Sequence, residues 1–281
     1  MAKFTNKASL SYNGNTINSN IVTGEILEVI SAKKTAVKDK YVADDNITYV
    51  ISIVNSGSTA LNLNIEDDLG RGLSAYTPLT YVTGSIKYYV NGVLQTTVPT
   101  VTPGPPLVFN PVNIPADSDA LIIYEATVNQ YAQLSAGSDI TNTATITGGG
   151  LSSPIEITAT ISTQDAPILN ISKSLCPVNV TENEQITYTF IIENFGNTPA
   201  ELTDTIVITD QFNPILNPIT VIFNGSNWVL GTDYTYDTTT GEFETAGDNI
   251  TVPAATYTQD PVTGEWTVEP GISHLVVTGT V

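Results

Sequence analysis

Two lysines, two aspartates and two asparagines stand at spacings that suggest chemistry. Side chains alternate along a strand with period two, so in the run Leu61 to Leu69 (LNLNIEDDL) Asp67 shares a face with Leu61, Leu63, Ile65 and Leu69. Asp67 should therefore point inward. The same count sets Lys34 with Ile30 and Ala32, and Asn142 with Ala144 and Ile146. Later in the chain Lys173 falls beside Ile171 and Leu175, and Asp210 beside Ile208 and Phe212. The asparagine is missing there, but Asn6, in line with Ala8 and Leu10, could come from a neighbouring subunit. Desolvation disfavours the charged form of a buried lysine and leaves a nucleophilic amine. A carboxylic acid kept protonated by the same burial can polarise a carbonyl. The plainer alternative has the lysine heads in water at strand ends, Asp67 and Asp210 capping turns, and the asparagines bonding the backbone.

Strands must position these groups. Thr, Val, Ile, Tyr and Asn abound and no long helical periodicity is present, which favours strands nearly everywhere. Expected strands in the first half are Glu28 to Val37, Asn46 to Asn55, Leu61 to Leu69, Tyr81 to Val90, Val93 to Thr97, Leu121 to Val128, Ile140 to Thr147 and Ile155 to Ile161. Asn91-Gly92 supplies a hairpin signal, and Pro103 to Pro106 a loop. After a linker at Thr163 to Pro167, strands are expected at Ile168 to Leu175, Gln185 onward, Ile206 to Phe212, Val221 to Phe223, Trp228 to Leu230, Tyr234 to Tyr236 and Leu275 to Val281. Short strands at regular spacing indicate an all-β chain of two immunoglobulin-like sandwiches in tandem.

The two halves repeat one another. NITYVISIVNSGST from Asn46 is echoed by QITYTFIIENFGNT from Gln185. The first repeat closes with Asp139 to Ile161 (DITNTATITGGGLSSPIEITATI), whereas the second reaches HLVVTGTV at Val281 two strands short. Lys3 to Val29 (KFTNKASLSYNGNTINSNIVTGEILEV) copies that missing end, with the same TN and an Ala two residues on. The expected division is a donor arm at 1–27, a first domain at 28–166, and a second at 167–281 that lacks its last two strands and is completed in trans. An open sheet edge invites pairing, and strand addition from another chain fills such gaps. Ala8, Leu10 and Tyr12 are the expected inward donor residues, with Leu275, Val277 and Val281 on the acceptor strand. Front-to-back contact is heterologous and can propagate as a filament. Fewer steps separate Ile21 from Lys34 than Ile155 from Lys173, which implies a tighter linker between subunits than within one.

The order KT, ITYxxxxxNxG, IxD and TNTATIT resembles the Ig-like repeat of unknown function numbered eleven in its series, common in bacterial surface proteins. The two-module chain also resembles the subunits of ribbon-like appendages on clostridial endospores. That setting implies synthesis in the mother cell and deposition on the spore or cell surface without an export signal. The inward Lys, Asp and Asn resemble the intramolecular isopeptide sites of Gram-positive pilins and adhesins. That likeness implies attack of the lysine amine on the asparagine carboxamide and loss of ammonia.

Three kinds of function remain to be separated. A structural subunit that polymerises head-to-tail with identical copies fits best. An adhesin or cell-wall binding module is the alternative, and an enzyme, beyond single-turnover bond formation, lacks a catalytic cluster. His274 is the one histidine of the chain, so no Ser-His-Asp or multi-histidine site can be built. Nine Lys plus Arg against 28 Asp plus Glu give a net charge of -19, which argues against nucleic acid and anionic membranes. The N-terminus lacks the charged-then-apolar order of a secretory signal. No cofactor is expected. Acidic residues at Asp237 to Asp248 lack the ordered ligand spacing of a calcium loop, Gly148 to Gly150 opens no helix, Trp228 and Trp266 read as packed aromatics, and the single Cys176 as a buried structural thiol.

Overall fold

A computed structural model of the chain describes residues 2–26, 29–72 and 74–281. Glu28, the expected start of the first domain, and Leu27, the expected end of the arm, lie outside the described residues. The fold is all-β, with one short 3-10 turn at Leu202–Asp204 among the described residues. Two compact units divide the chain, 1–132 with 139–162 and 133–138 with 163–281. Among the described residues no helix is long and apolar enough to cross a membrane.

The first unit is a sandwich of two sheets. One runs in the order Val93–Leu94, Lys87–Val90, Ser118–Val128, Asn46–Asn55, Ile30–Ala36, with Leu79–Tyr81 also paired to Ser118–Val128. The other runs Thr100–Thr102, Leu107–Ile114, Leu61–Asp67, Asp139–Gly148, Ile155–Thr163, Lys40–Tyr41. Strict alternation builds the core: Ile47, Tyr49, Ile51 and Ile53 are buried from one sheet, and Leu63 and Ile65 from the other. Each fully buried aliphatic side chain stabilises by about 1.5–3 kcal/mol relative to exposure.

The second unit repeats the first sheet. Leu169–Cys176, Gln185–Asn194, Gly271–Thr280, Ile219–Phe223 and Ser226–Asn227 follow in order. Lys34 faces Ile51 across its ladder and Lys173 faces Phe190, the matching position of the ITY strand. The opposite sheet is reduced to Thr209–Gln211, Glu242–Thr245 and Tyr234–Tyr236. Leu61–Asp67 is paired on both sides, by Leu107–Ile114 and by Asp139–Gly148. Its counterpart Thr209–Gln211 is paired by Glu242–Thr245 alone among the described residues, so an edge stands where the first unit has its closing hairpin.

That edge is not where the sequence reading put it. Leu275 and Val277 are buried, but their strand Gly271–Thr280 lies inside its sheet, bonded to Gln185–Asn194 on one side and Ile219–Phe223 on the other. With both edges used it cannot accept another strand, and Val281 directly follows it, its carbonyl taken by the Asn183 N–H. The last strand in sequence is central in space.

Several local expectations also change. Leu107–Ile114 is a strand despite Pro111, because the ladder breaks register between Phe109 and Val112 and the proline need not donate. Tyr81 to Val90 splits into Leu79–Tyr81 and Lys87–Val90 around a turn at Gly84. Ile206 to Phe212 shortens to Thr209–Gln211. Cys176 is exposed, since it ends the strand Leu169–Cys176, which is paired on one side only.

Among the described residues the strands of the N-terminal arm pair only with one another. Ser9–Tyr12 and Asn15–Asn18 meet across Asn13 and Gly14, both at positive φ as a two-residue hairpin turn requires. Ala2–Asn6 pairs with Val22–Ile26, and the two ladders form separate two-stranded sheets that no other strand of the described residues joins. Phe4, Leu10, Tyr12, Ile17 and Val22 are exposed. Leu10 faces Ile17 as Ile146 faces Ile155. Ile17 is thus the counterpart of Ile155, which makes the two linkers nearly equal and removes the tighter junction expected from Ile21.

The asparagine that ends each ITY strand is structural. Asn55 Nδ2 donates to the Thr59 and Pro115 carbonyls while its Oδ1 accepts from Gly57 N–H. Asn194 does the same with Thr198, Pro253 and Gly196. Replacing either by Ala leaves buried backbone groups unpaired, so Asn55→Ala and Asn194→Ala should each cost about 2 kcal/mol. In chemical denaturation each should lower the transition of its own unit and leave the other unchanged.

Candidate functional site

Inside the first unit the inward polar residues meet. Lys34, on the edge strand of one sheet, places Nζ 2.7 Å from Asp67 Oδ2 on the facing sheet, and both side chains are 0% exposed. The lysine head does not reach water. Asp67 Oδ1 accepts the Leu69 N–H, so the carboxylate caps its turn and holds the amine at once. Asn142 is fully buried and enters through Tyr124: its Nδ2 donates to Tyr124 Oη at 3.1 Å, and Tyr124 O–H donates to Asp67 Oδ2 at 2.5 Å. The structure therefore gathers all three expected residues, with a tyrosine between the aspartate and the asparagine.

Two tyrosines belong to the site that parity had not singled out. Tyr49 stacks on Tyr124 with ring centroids 5.5 Å apart, and Lys34 Nζ lies 5.2 Å over the Tyr49 ring. Both were readable in principle, since Tyr124 alternates with Ile122 and Ala126, and Tyr49 with Ile47 and Ile51. Tyrosine is an ordinary core residue, so its type alone carried no signal.

Electrostatics follow from dryness. Burial pushes the Lys34 ammonium below the ordinary lysine value, against the opposing pull of Asp67. Burial, then the Asp67 charge, pushes the Tyr124 phenol well up. Tyr49 rises for the same two reasons, with Asn142 nearby pulling the other way. That neighbourhood falls short of a hydrogen bond: Tyr49 Oη and Asn142 Oδ1 are both buried with no partner. An orphaned buried acceptor costs about 1–3 kcal/mol, and a buried ion pair seldom recovers its desolvation. The group brings together an amine whose charge burial disfavours, a carboxylate that accepts from it, and an unpartnered carboxamide carbonyl.

The second unit holds the same pair without the rest. Lys173 Nζ bonds Asp210 Oδ2, with the lysine side chain 37% exposed. It sits 4.3 Å over Tyr188, the counterpart of Tyr49, and 5.2 Å from the rings of Phe190 and Phe212. Val277, opposite Tyr188, occupies the place of Tyr124, which lies opposite Tyr49. A cavity of about 650 Å³ opens beside Asp210, Tyr236 and Phe243. Leu169 is 40% exposed where its counterpart Ile30 is 6% exposed. Asn6 lies on the arm and none of the arm's strands joins a sheet of this unit.

The remaining candidates are unremarkable in place. Trp228 stacks on Phe223 at 5.0 Å against the core, and Trp266 belongs to the hairpin Thr256–Gln259 and Trp266–Glu269. His274 sits on a strand, its N–H bonded to Asn224 Oδ1.

No protein-family model and no curated protein matches the chain. Solved structures resemble it at low identity. The pilus backbone RrgB from Streptococcus pneumoniae is 13% identical over 86% of this chain, with a TM-score of 0.36, and the chain spans 55% of that protein's length. BcpA, the major pilin subunit of Bacillus cereus, is 12% identical over 96% of this chain and 73% of its own, with a TM-score of 0.36. The collagen-binding domain from a Staphylococcus aureus adhesin is 10% identical over 48% of this chain and 97% of its own, with a TM-score of 0.32.

Proposed function

We propose that the chain is a structural subunit that assembles head-to-tail into an extracellular or spore-surface fibre. The arm of one copy completes the second unit of the next. One observation carries the reading: among the described residues Thr209–Gln211 has no partner on the side where its counterpart Leu61–Asp67 receives a hairpin. The arm is a solvent-exposed hairpin of the required kind, with Leu10 and Ile17 in the cross-strand relation of Ile146 and Ile155. An isolated two-stranded hairpin is marginal in water, so docking would supply the core that Phe4, Leu10 and Tyr12 lack. Main-chain bonds to the edge would give affinity and the alternate side chains would fill the cleft.

Within each subunit the Lys34, Asp67 and Asn142 group serves as an autocatalytic crosslink. The neutral Lys34 amine attacks Asn142 Cγ, a C–N bond forms, the Cγ–Nδ2 bond breaks, and ammonia leaves with a proton passed through Asp67. Tyr124, hydrogen-bonded to both Asp67 and Asn142, positions the acid and the amide. The product amide has no buried charge. It also closes the chain between residues 34 and 142, a loop whose crosslinking is worth about 5 kcal/mol by the chain-entropy argument.

Removal of residues 1–19 should give a monomer by size exclusion and negative-stain microscopy while the intact chain forms fibres. Continued fibre growth by the truncated protein contradicts strand donation. Intact mass of the wild type should fall short by one ammonia for the internal bond, and that deficit should vanish in Lys34→Ala and Asn142→Ala. Tyr124→Phe should slow the reaction by about 10-fold or more, as expected for loss of a positioned proton-handling group, without preventing it.

The pH dependence has a definite sign. In Asn142→Ala the Lys34 amine stays free, and its lowered folded pKa means that the unfolded chain binds more protons just below the ordinary lysine value of 10.5. Stability of that variant should therefore rise with pH towards 10.5. The tyrosine shifts act oppositely: their stabilisation is complete below the ordinary value of 10.0 and is lost as pH climbs above it. The crosslinked wild type should lack the rise, because the amide does not titrate. Denaturant midpoints at a series of pH values measure both.

A further inference from the structure

We infer that Lys173 and Asp210 form half of an intermolecular bond-forming site, completed by Asn6 from the arm of a second copy. The inference rests on the strand donation proposed above and names the covalent partner and register of that docking.

The pair matches its buried counterpart at each point the ladders define. Lys173 faces Phe190 as Lys34 faces Ile51, and both lysine heads lie over the tyrosine of an ITY strand. Asp210 faces the buried Phe243 as Asp67 faces the buried Leu107. The Tyr124 hydroxyl has no counterpart among the described residues of the second unit, where Val277 stands, and neither has Asn142. The arm carries it: Thr5-Asn6 with Ala8 and Leu10 repeats Thr141-Asn142 with Ala144 and Ile146.

Register makes the inference specific. In the first unit Ala144 lies opposite Asp67, Thr145 opposite Glu66 and Ile146 opposite Ile65. Transferred to the open edge, Ala8 of the incoming copy lies opposite Asp210, Ser9 opposite Thr209 and Leu10 opposite Ile208. Period-two alternation then points Asn6, Ala8 and Leu10 inward together, with Asn6 next to the Lys173 head. A shift by one residue would turn Asn6 outward.

Docking also switches the chemistry on. In the free subunit the Lys173 head is partly in water, and a covering strand would give it the dry setting in which Lys34 sits. The Lys173 amine then attacks Asn6 Cγ, a C–N bond forms, the Cγ–Nδ2 bond breaks and ammonia departs. Asp210 takes the proton from the attacking amine and returns it to the leaving nitrogen. Val277 offers no hydroxyl where Tyr124 stands, so the incoming asparagine is held by strand register rather than by a tyrosine.

The test uses full-length protein, assembled and then boiled in detergent. Wild-type material should run as a ladder of covalent multimers, and peptide mass spectrometry should find residues 6 and 173 joined with one ammonia lost per junction. Asn6→Ala alters an exposed side chain, and Lys173→Arg keeps a cation on Asp210 without a nucleophilic amine, so both should keep the melting profile of the unassembled subunit. Both should still form fibres by microscopy yet boil down to monomer. Wild-type fibres that dissolve to monomer overturn the bond and leave strand donation standing, as does a ladder that survives Asn6→Ala. A wild type that forms no fibres overturns both. To fix the register, Ser9→Cys and Thr209→Cys in a Cys176→Ser background should yield disulfide-linked multimers under mild oxidation. A Tyr12→Cys and Thr209→Cys pair should not, and the reverse result overturns the register.

Discussion

A β-strand presents a hydrogen-bonding edge on each side, and an edge over an apolar core must be covered. The first unit covers its Leu61–Asp67 strand with a neighbour on either hand. In the second unit the equivalent strand is served from one side, and Leu169 and Ile171 stand exposed on the facing sheet as a result. The arm has the converse condition, a hairpin with apolar side chains and no core. Each deficiency is costly alone, and the docking proposed above would relieve both.

The same lysine–aspartate pair appears in two environments, and their comparison separates sequence from surroundings. Sealed between sheets, Lys34 loses its hydration and its proton affinity falls. Lys173 has the same partner and the same ring beneath it, but water reaches it. What differs is the cover. A closing hairpin built into the chain makes the first site complete on folding, whereas an incoming one would make the second complete on assembly.

Legibility in the sequence followed the physics that each part depends on. Period-two alternation needs only neighbours along the strand, and it placed Lys34, Asp67 and Asn142 on inner faces that the structure brings together. Tyr124 bridges them by cross-sheet packing, which no local count contains. Strand order in the sheet is equally non-local, and for that reason Gly271–Thr280, last in the chain and expected as the acceptor edge, is central instead. Leu107–Ile114 carries Pro111, and a proline argues against a strand unless a bulge, which no local pattern announces, excuses its missing donor.

Lys34 lies four residues into Ile30–Ala36, the first strand of the sandwich after the arm, and Asn142 in the penultimate strand, Asp139–Gly148. An amide between them would therefore act as a mechanical bypass. Tension entering near Ile30 and leaving near Thr163 would cross directly from one side chain to the other, and the strands between would bear none of it. Only the ends outside the bypass, Ile30 to Lys34 and the closing hairpin from Asn142 to Thr163, could still unzip before the amide takes the load.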